Sequence, residues 1–324
     1  CATTQAASTF TGSSSADEND WWIHVRASDT AGNCGATVHF GPFWIDTTAP
    51  GAPGAVSSSS HDGGPTTDTT IDVAWGAASD ALSGIDGYSY FFDGNDDEDC
   101  DDVLDNDASE RSATSPPLAA GTWYVHVCAV DLAGNWGGVT SGGPYVIDLS
   151  APRVATIDSV ATSGGAIGES EVVNVAITQL LVSFDEAMDA TLAQATSRYQ
   201  LVAAGTDGAV DTTVCGPLQG DDQSRSIDGV TYSGQTSTLT VNGSTALGDG
   251  SYRLLVCASL EDVAGNALDG DGNGSGGDDF ARSFRVDRAR PTVTLVQSVA
   301  DTGDGSLGEN EPTNVAITEL LVSF

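Results

Sequence analysis

Apolar positions along this chain recur mostly at every second residue. Ile71-Asp72-Val73-Ala74-Trp75 puts Ile71, Val73 and Trp75 on one side of an extended segment. Tyr88-Ser89-Tyr90-Phe91-Phe92, Leu180-Leu181-Val182-Ser183-Phe184, Tyr199-Gln200-Leu201-Val202, Ser237-Thr238-Leu239-Thr240-Val241 and Tyr252 to Cys257 read as further strands. Val172 to Ile177 and Phe284-Arg285-Val286 complete the set. A period of two marks strands with one buried face. Only a short stretch, Ala190 to Ala195, carries a helical pattern. The chain reads as all-β.

One strand-and-turn unit occurs three times. It runs from Trp21-Trp22-Ile23-His24-Val25 to Asp29-Thr30-Ala31-Gly32-Asn33. It returns as Trp123-Tyr124-Val125-His126-Val127-Cys128, ending in Asp131-Leu132-Ala133-Gly134-Asn135. A looser copy is Tyr252 to Cys257 with Asp262-Val263-Ala264-Gly265-Asn266. Asp bonds backbone N–H groups two residues on, and Gly and Asn tolerate positive φ. Asp29, Asn33, Asp131, Asn135, Asp262 and Asn266 are therefore expected to fix hairpin turns. Three Pro-containing linkers punctuate the chain: Asp46 to Pro50, Asp148 to Pro152 and Asp287 to Pro291. Proline lacks an N–H and breaks pairing between domains. The expected division is 1–46, 47–148, 149–287 and 288–324.

Val73-Ala74-Trp75, Ser83-Gly84-Ile85-Asp86-Gly87-Tyr88, Gly121-Thr122-Trp123-Tyr124 and Asp131 to Asn135 together resemble the fibronectin type III and immunoglobulin-like modules of bacterial surface proteins. Leu181 to Asp189, Arg198-Tyr199-Gln200-Leu201, Asp249-Gly250-Ser251-Tyr252 and Asp262 to Asn266 resemble the bacterial Ig-like family known from S-layer proteins. The resemblance implies tandem β-sandwiches, used in the second family as spacers. Residues 298–324 repeat 159–184 closely, with Asn314-Val315-Ala316-Ile317 matching Asn174-Val175-Ala176-Ile177. Residues 1–46 read as the back half of a module and 288–324 as the front of another. The expectation is an excerpt of a longer array, or missing strands supplied by neighbouring identical chains.

Composition sharpens this picture. There are 46 acidic residues against 10 basic, a formal charge of −36, and every basic residue is Arg. Such a surface repels nucleic acid and anionic membrane. Hydrophobic residues make up 40%, enough for ordinary cores. No apolar run reaches bilayer length, so membrane insertion is not expected. The six cysteines show no zinc spacing. Their even number in this β-rich chain suggests an oxidising, extracellular compartment. Local pairing predicts Cys1–Cys34, Cys100–Cys128 and Cys215–Cys257. With Val125 and Val127 facing the core, Cys128 should point outward with Tyr124 and His126, and its disulfide should pin an acidic loop to the outer face.

Two loops carry oxygen ligands at alternate positions. Asp93, Asn95, Asp97, Asp99 and Asp101 form one; Asp269, Asp271, Asn273 and Asp278 form the other. Calcium takes six to eight oxygens and often enters D-x-N-x-D loops. Calcium is therefore the one candidate cofactor, against solvated acidic loops as the plain alternative. His24 and His126 are expected at the surface. Four histidines with no nucleophile motif give no triad, and no enzymatic activity is expected. Trp75 and Trp123 read as core. Trp21, Trp22 and Trp136 read as packing or interdomain residues, or as a sugar-stacking surface. The expected role is a stalk or filament segment of an adhesin-like surface protein. A carbohydrate- or surface-binding module of a secreted hydrolase is the alternative.

Overall fold

The computed structural model describes residues 17–97, 99–161, 165–298, 317 and 319–324. It comprises two compact units, one built mainly on the chain up to Ser150 and the other mainly on the chain from Ala151. Both are all-β and built from stacked, mostly antiparallel sheets.

In the first unit, β1 (Glu18–Val25) and β2 (Val38–Ile45) form a hairpin. Then follow β3 (Gly54–Ser58), β4 (Asp72–Gly76), β5 (Ile85–Asp93), β6 (Asn106–Asp107), β7 (Ser112–Thr114), β8 (Gly121–Asp131) and β9 (Thr140–Ile147). They make two sheets, ordered β3-β4-β7 and β6-β5-β8-β9. Val73 and Trp75 from the first sheet meet Tyr88, Val125, Val127, Tyr145 and Ile147 from the second, and Ile71 joins them. Each such side chain contributes about 1.5–3 kcal/mol on full burial. The indole of Trp75 crosses the rings of Tyr88 and Tyr90, with centroids 5.7 and 5.8 Å away. Trp123 is partly buried against this core, while Trp21 and Trp22 are exposed.

The hairpin repeats β8–β9 in register. Trp21 faces Phe43 and His24 faces His39, as Trp123 faces Tyr145 and His126 faces Ser141. Both pairs carry an irregularity after the tryptophan.

Strand parity puts His126 and Cys128 opposite the core, which predicts exposure. The structure buries both, with His126 at 0% and Cys128 at 4% exposure. The cause is the loop after β5. The Cys100–Cys128 disulfide ties it down, Ser89 donates to Asp101 at 2.9 Å, and Asp93 lies 3.2 Å from His126 Nε2. The loop thus roofs the outer face, and β8 is buried on both sides. His126 also stacks on Phe91, with centroids 5.0 Å apart. The other histidine placed at the surface, His24, is exposed.

The second unit contains β10 (Val154–Ser159), β11 (Glu171–Val173), β12 (Gln179–Phe184), α1 (Ala190–Ala193), β13 (Tyr199–Ala203), β14 (Gln223–Arg225), β15 (Ile227–Ser233), β16 (Thr236–Val241), β17 (Gly250–Val256) and β18 (Phe280–Val286). Its sheets are ordered β10-β12-β16-β15 and β11-β18-β17-β13-β14, with β11 parallel to β18. Alternation is strict on β12 and β16, where Leu180, Val182, Phe184, Leu239 and Val241 point inward. Asp189 caps α1 by accepting from Leu192 N at 2.8 Å. Burial pushes the Tyr199 hydroxyl up to about 12, and its proton goes to Ser237 or the Ala193 carbonyl. β11 is shorter than the sequence pattern. It ends at Val173, whose carbonyl accepts from Asp287 N, and Ile177 turns into the core. Finally, β19 (Leu295–Ser298) pairs with β20 (Leu320–Ser323). Ser298 faces Leu320 there as Ser159 faces Leu180 between β10 and β12.

Two disulfides have both cysteines among the described residues, and both are local: Cys100–Cys128 and Cys215–Cys257. The Cys1–Cys34 pairing involves Cys1, which lies outside the described residues. In the chain-entropy model, loops of these lengths contribute about 3–4 kcal/mol each. Replacing Cys100 and Cys128 together by Ser should lower the urea-unfolding free energy of the first unit by about that amount. An unchanged midpoint would mean that the roof loop holds without its tether.

Candidate metal-binding carboxylate clusters

The repeated turn sets the geometry of the strand ends. Asp29 Oδ1 accepts from Ala31 N at 3.0 Å and Asn33 N at 2.8 Å, and its Oδ2 accepts from Asn33 Nδ2 at 2.8 Å. Asp131 does the same with Ala133 N, Asn135 N and Asn135 Nδ2, at 2.9, 2.9 and 2.8 Å. Gly32, Gly134 and Gly265 have φ near +90°, a conformation that costs a residue with a Cβ. Asp262 is buried at the start of the third turn.

Asp131 ends β8 in a buried position, and two further carboxylates gather on it. Ligand oxygens of Asp46, Asp80 and Asp131 lie within 4.8 Å of one another. Asp46 comes from the first linker. Its Oδ2 accepts from Ser83 N at 3.0 Å and its carbonyl from Asn135 Nδ2 at 3.2 Å. Asp80 opens the loop before β5 and accepts from Leu82 N and Gly84 N at 2.8 and 2.9 Å. Those N–H groups, Gly84 first, hold the Asp80 carboxyl below its ordinary value and so keep it charged. Asp46 and Asp80 were not singled out as ligands from sequence. The signal available was the Asp that opens each linker, at Asp46, Asp148 and Asp287.

The loop at Asp93 is arranged differently. Asp93 accepts from Asn95 N at 2.9 Å and faces His126; Asp101 accepts from Ser89 Oγ and Val103 N. Asp97 and Asp99 point to solvent. Among the described residues, Asp93, Asp97, Asp99 and Asp101 join no cluster of three ligand groups. The oxygens of Asp93 and Asp101 bond to the chain instead.

Asp269, Asp271 and Asp278 do converge. The buried member, Asp269, is 1% exposed. Its Oδ1 accepts from Gly272 N and Asn273 N, at 2.8 and 3.0 Å. Its Oδ2 accepts from Gly274 N and Arg153 Nε, each at 2.8 Å, and lies 2.8 Å from Arg153 Nη2 in an ion pair. Asp278 accepts from Asp271 N, and the side chain of Asn273 accepts from Ser275 N. A guanidinium and a ring of N–H groups already supply positive charge here. A metal ion would have to compete with the guanidinium for Asp269. A fully exposed cluster, Asp207, Asp211 and Asp221, is held at Asp221, which accepts twice from Thr206.

The chain matches no family model and no curated protein. Function must therefore be read from these geometries. No helix among the described residues is long and apolar enough to cross a membrane.

Burial pushes the Asp269 carboxyl up, but the Gly274 N–H and the Arg153 charge outweigh it and leave the group below its ordinary value. A depressed carboxyl contributes stability above its unfolded-state value, lost as pH falls through the folded-state value. Arg153→Gln removes part of that depression. Acid unfolding of the second unit, followed by amide NMR, should then begin at a higher pH than in the parent chain. Identical acid limbs would remove Arg153 from this role.

Proposed function

We propose that this chain is a spacer in an extracellular bacterial surface protein of the adhesin type. Its modules are of the fibronectin type III and S-layer Ig-like kinds. Its partners are other modules of the same protein and neighbouring identical chains. The disulfide-tied sandwiches support this reading, because a stalk must resist unfolding outside the cell, where thiols oxidise. So does the acidic, lysine-free surface, which favours solubility over adhesion to anionic polymers.

The observation that carries the proposal is the gathering of Asp46, Asp80 and Asp131. It joins the linker after β2 to the end of β8, the strand at the centre of the next sandwich. Three carboxylates this close repel one another, and a cation among them would relieve that repulsion. Calcium suits the site because its ligands are all oxygen and its coordination is permissive. Water or main-chain carbonyls would complete the shell. An ion here would stiffen the linker, which is what a spacer needs. Calcium at the Asp269 loop is not part of the proposal, since Arg153 already neutralises that carboxylate.

Calcium in excess over chelator should raise the melting temperature of the first unit, and Asp80→Asn should remove most of that rise. A calcium-induced rise of equal size in Asp80→Asn would place the ion elsewhere. No rise in the parent chain would end the calcium part of the proposal.

A further inference from the structure

The first hairpin carries a pair of histidines unlike the rest. β1 and β2 place His24 directly opposite His39. Their Nδ1 atoms face each other at 2.5 Å, and the ring centroids are 4.7 Å apart. Both side chains are exposed. The other two histidines are buried and committed. His61 meets Ser60 Oγ and the Asp68 carbonyl, at 2.9 and 3.2 Å. His126 meets Ser141 Oγ at 2.8 Å, with Asp93 and the Asn95 carbonyl on its other nitrogen. At the strand position where β9 has Ser141, β2 has a second imidazole.

Two facing Nδ1 atoms can share one proton between them. A metal ion can take the place of that proton. Metal–imidazole bonds are about 2.0–2.1 Å long. With a ligand angle of about 90–110°, the two nitrogens stand roughly 2.9–3.4 Å apart. The pair reaches that spacing by opening less than about 1 Å, through χ rotations of exposed rings. Imidazole favours zinc, copper and nickel, whereas calcium and magnesium favour oxygen. The many carboxylates and this pair therefore select different ions.

We propose that His24 and His39 form a two-imidazole clamp for a divalent first-row transition ion, Zn²⁺, Cu²⁺ or Ni²⁺. The ion staples β1 to β2. Among the described residues β1 and β2 pair only with each other; a two-stranded hairpin is marginal in water, so a ligand bound only to the paired strands shifts their equilibrium toward pairing. Open coordination positions are left to water.

The test titrates Ni²⁺ into the full chain by calorimetry, with millimolar calcium present to occupy carboxylates. The parent chain should show one stoichiometric site. His39→Ser reproduces the pair found between β8 and β9, so the strand tolerates it; it should weaken the site at least tenfold. His24→Ala should do the same, and His61→Ala should leave it unchanged. Equal nickel affinity in the parent chain and His39→Ser overturns the proposal. A readout independent of the variants is broadening of histidine ring signals by Cu²⁺. His24 and His39 should broaden first. Earlier loss of His61 or His126 signals would also overturn it.

Discussion

Strand β8 is the constraint on which the first unit depends. Its inward residues, Val125, Val127 and Ala129, fill the space beneath β4. Its outward residues, His126 and Cys128, are sealed by the loop that Cys100 tethers. Its last residue, Asp131, fixes the turn and meets Asp46 and Asp80. Core, roof, turn and linker acid thus hang on one extended segment. A register shift of one residue would exchange the two faces and break all four.

Much of this was legible in the sequence because it is local. Alternation reveals strands, and Ile71, Val73 and Trp75 are buried as the period requires. The Asp-x-Ala-Gly-Asn turns carry their mechanism within five residues, and Asp29 and Asp131 accept the same three bonds. Cys100 with Cys128, and Cys215 with Cys257, followed from proximity along the chain. Parity tells which side of a sheet a residue occupies, but not what lies over that side. That is why His126 and Cys128 read as surface residues. The burial of His126 needed the path of a loop whose tether, Ser89–Asp101 bond and Asp93 contact are tertiary.

The acids show the same boundary. Alternating Asp and Asn suggest an ion cage, yet in the Asp93 loop the oxygens accept bonds from the chain. In the Asp269 loop the cationic partner is Arg153, distant in sequence and invisible to a spacing rule. Asp46, Asp80 and Asp131, drawn from a linker, a loop and a strand end, gather with no salt bridge to arginine among the described residues. A chain with a formal charge of −36 has acid to spare everywhere. Arginine, not backbone N–H bonding, separates the two clusters: Arg153 pairs with Asp269, while Asp46, Asp80 and Asp131 also accept N–H bonds from the chain.

The most direct test of a tension-bearing spacer is to pull the chain from its two ends, first oxidised and then reduced. A spacer built of disulfide-tied sandwiches gives discrete unfolding steps. Reduction then frees the segments closed by Cys100–Cys128 and Cys215–Cys257, with sequence separations of 28 and 42. At about 3.6 Å per residue, the two steps should lengthen by roughly 100 and 150 Å. Smooth extension without steps, or steps of the same length after reduction, would contradict a mechanical role.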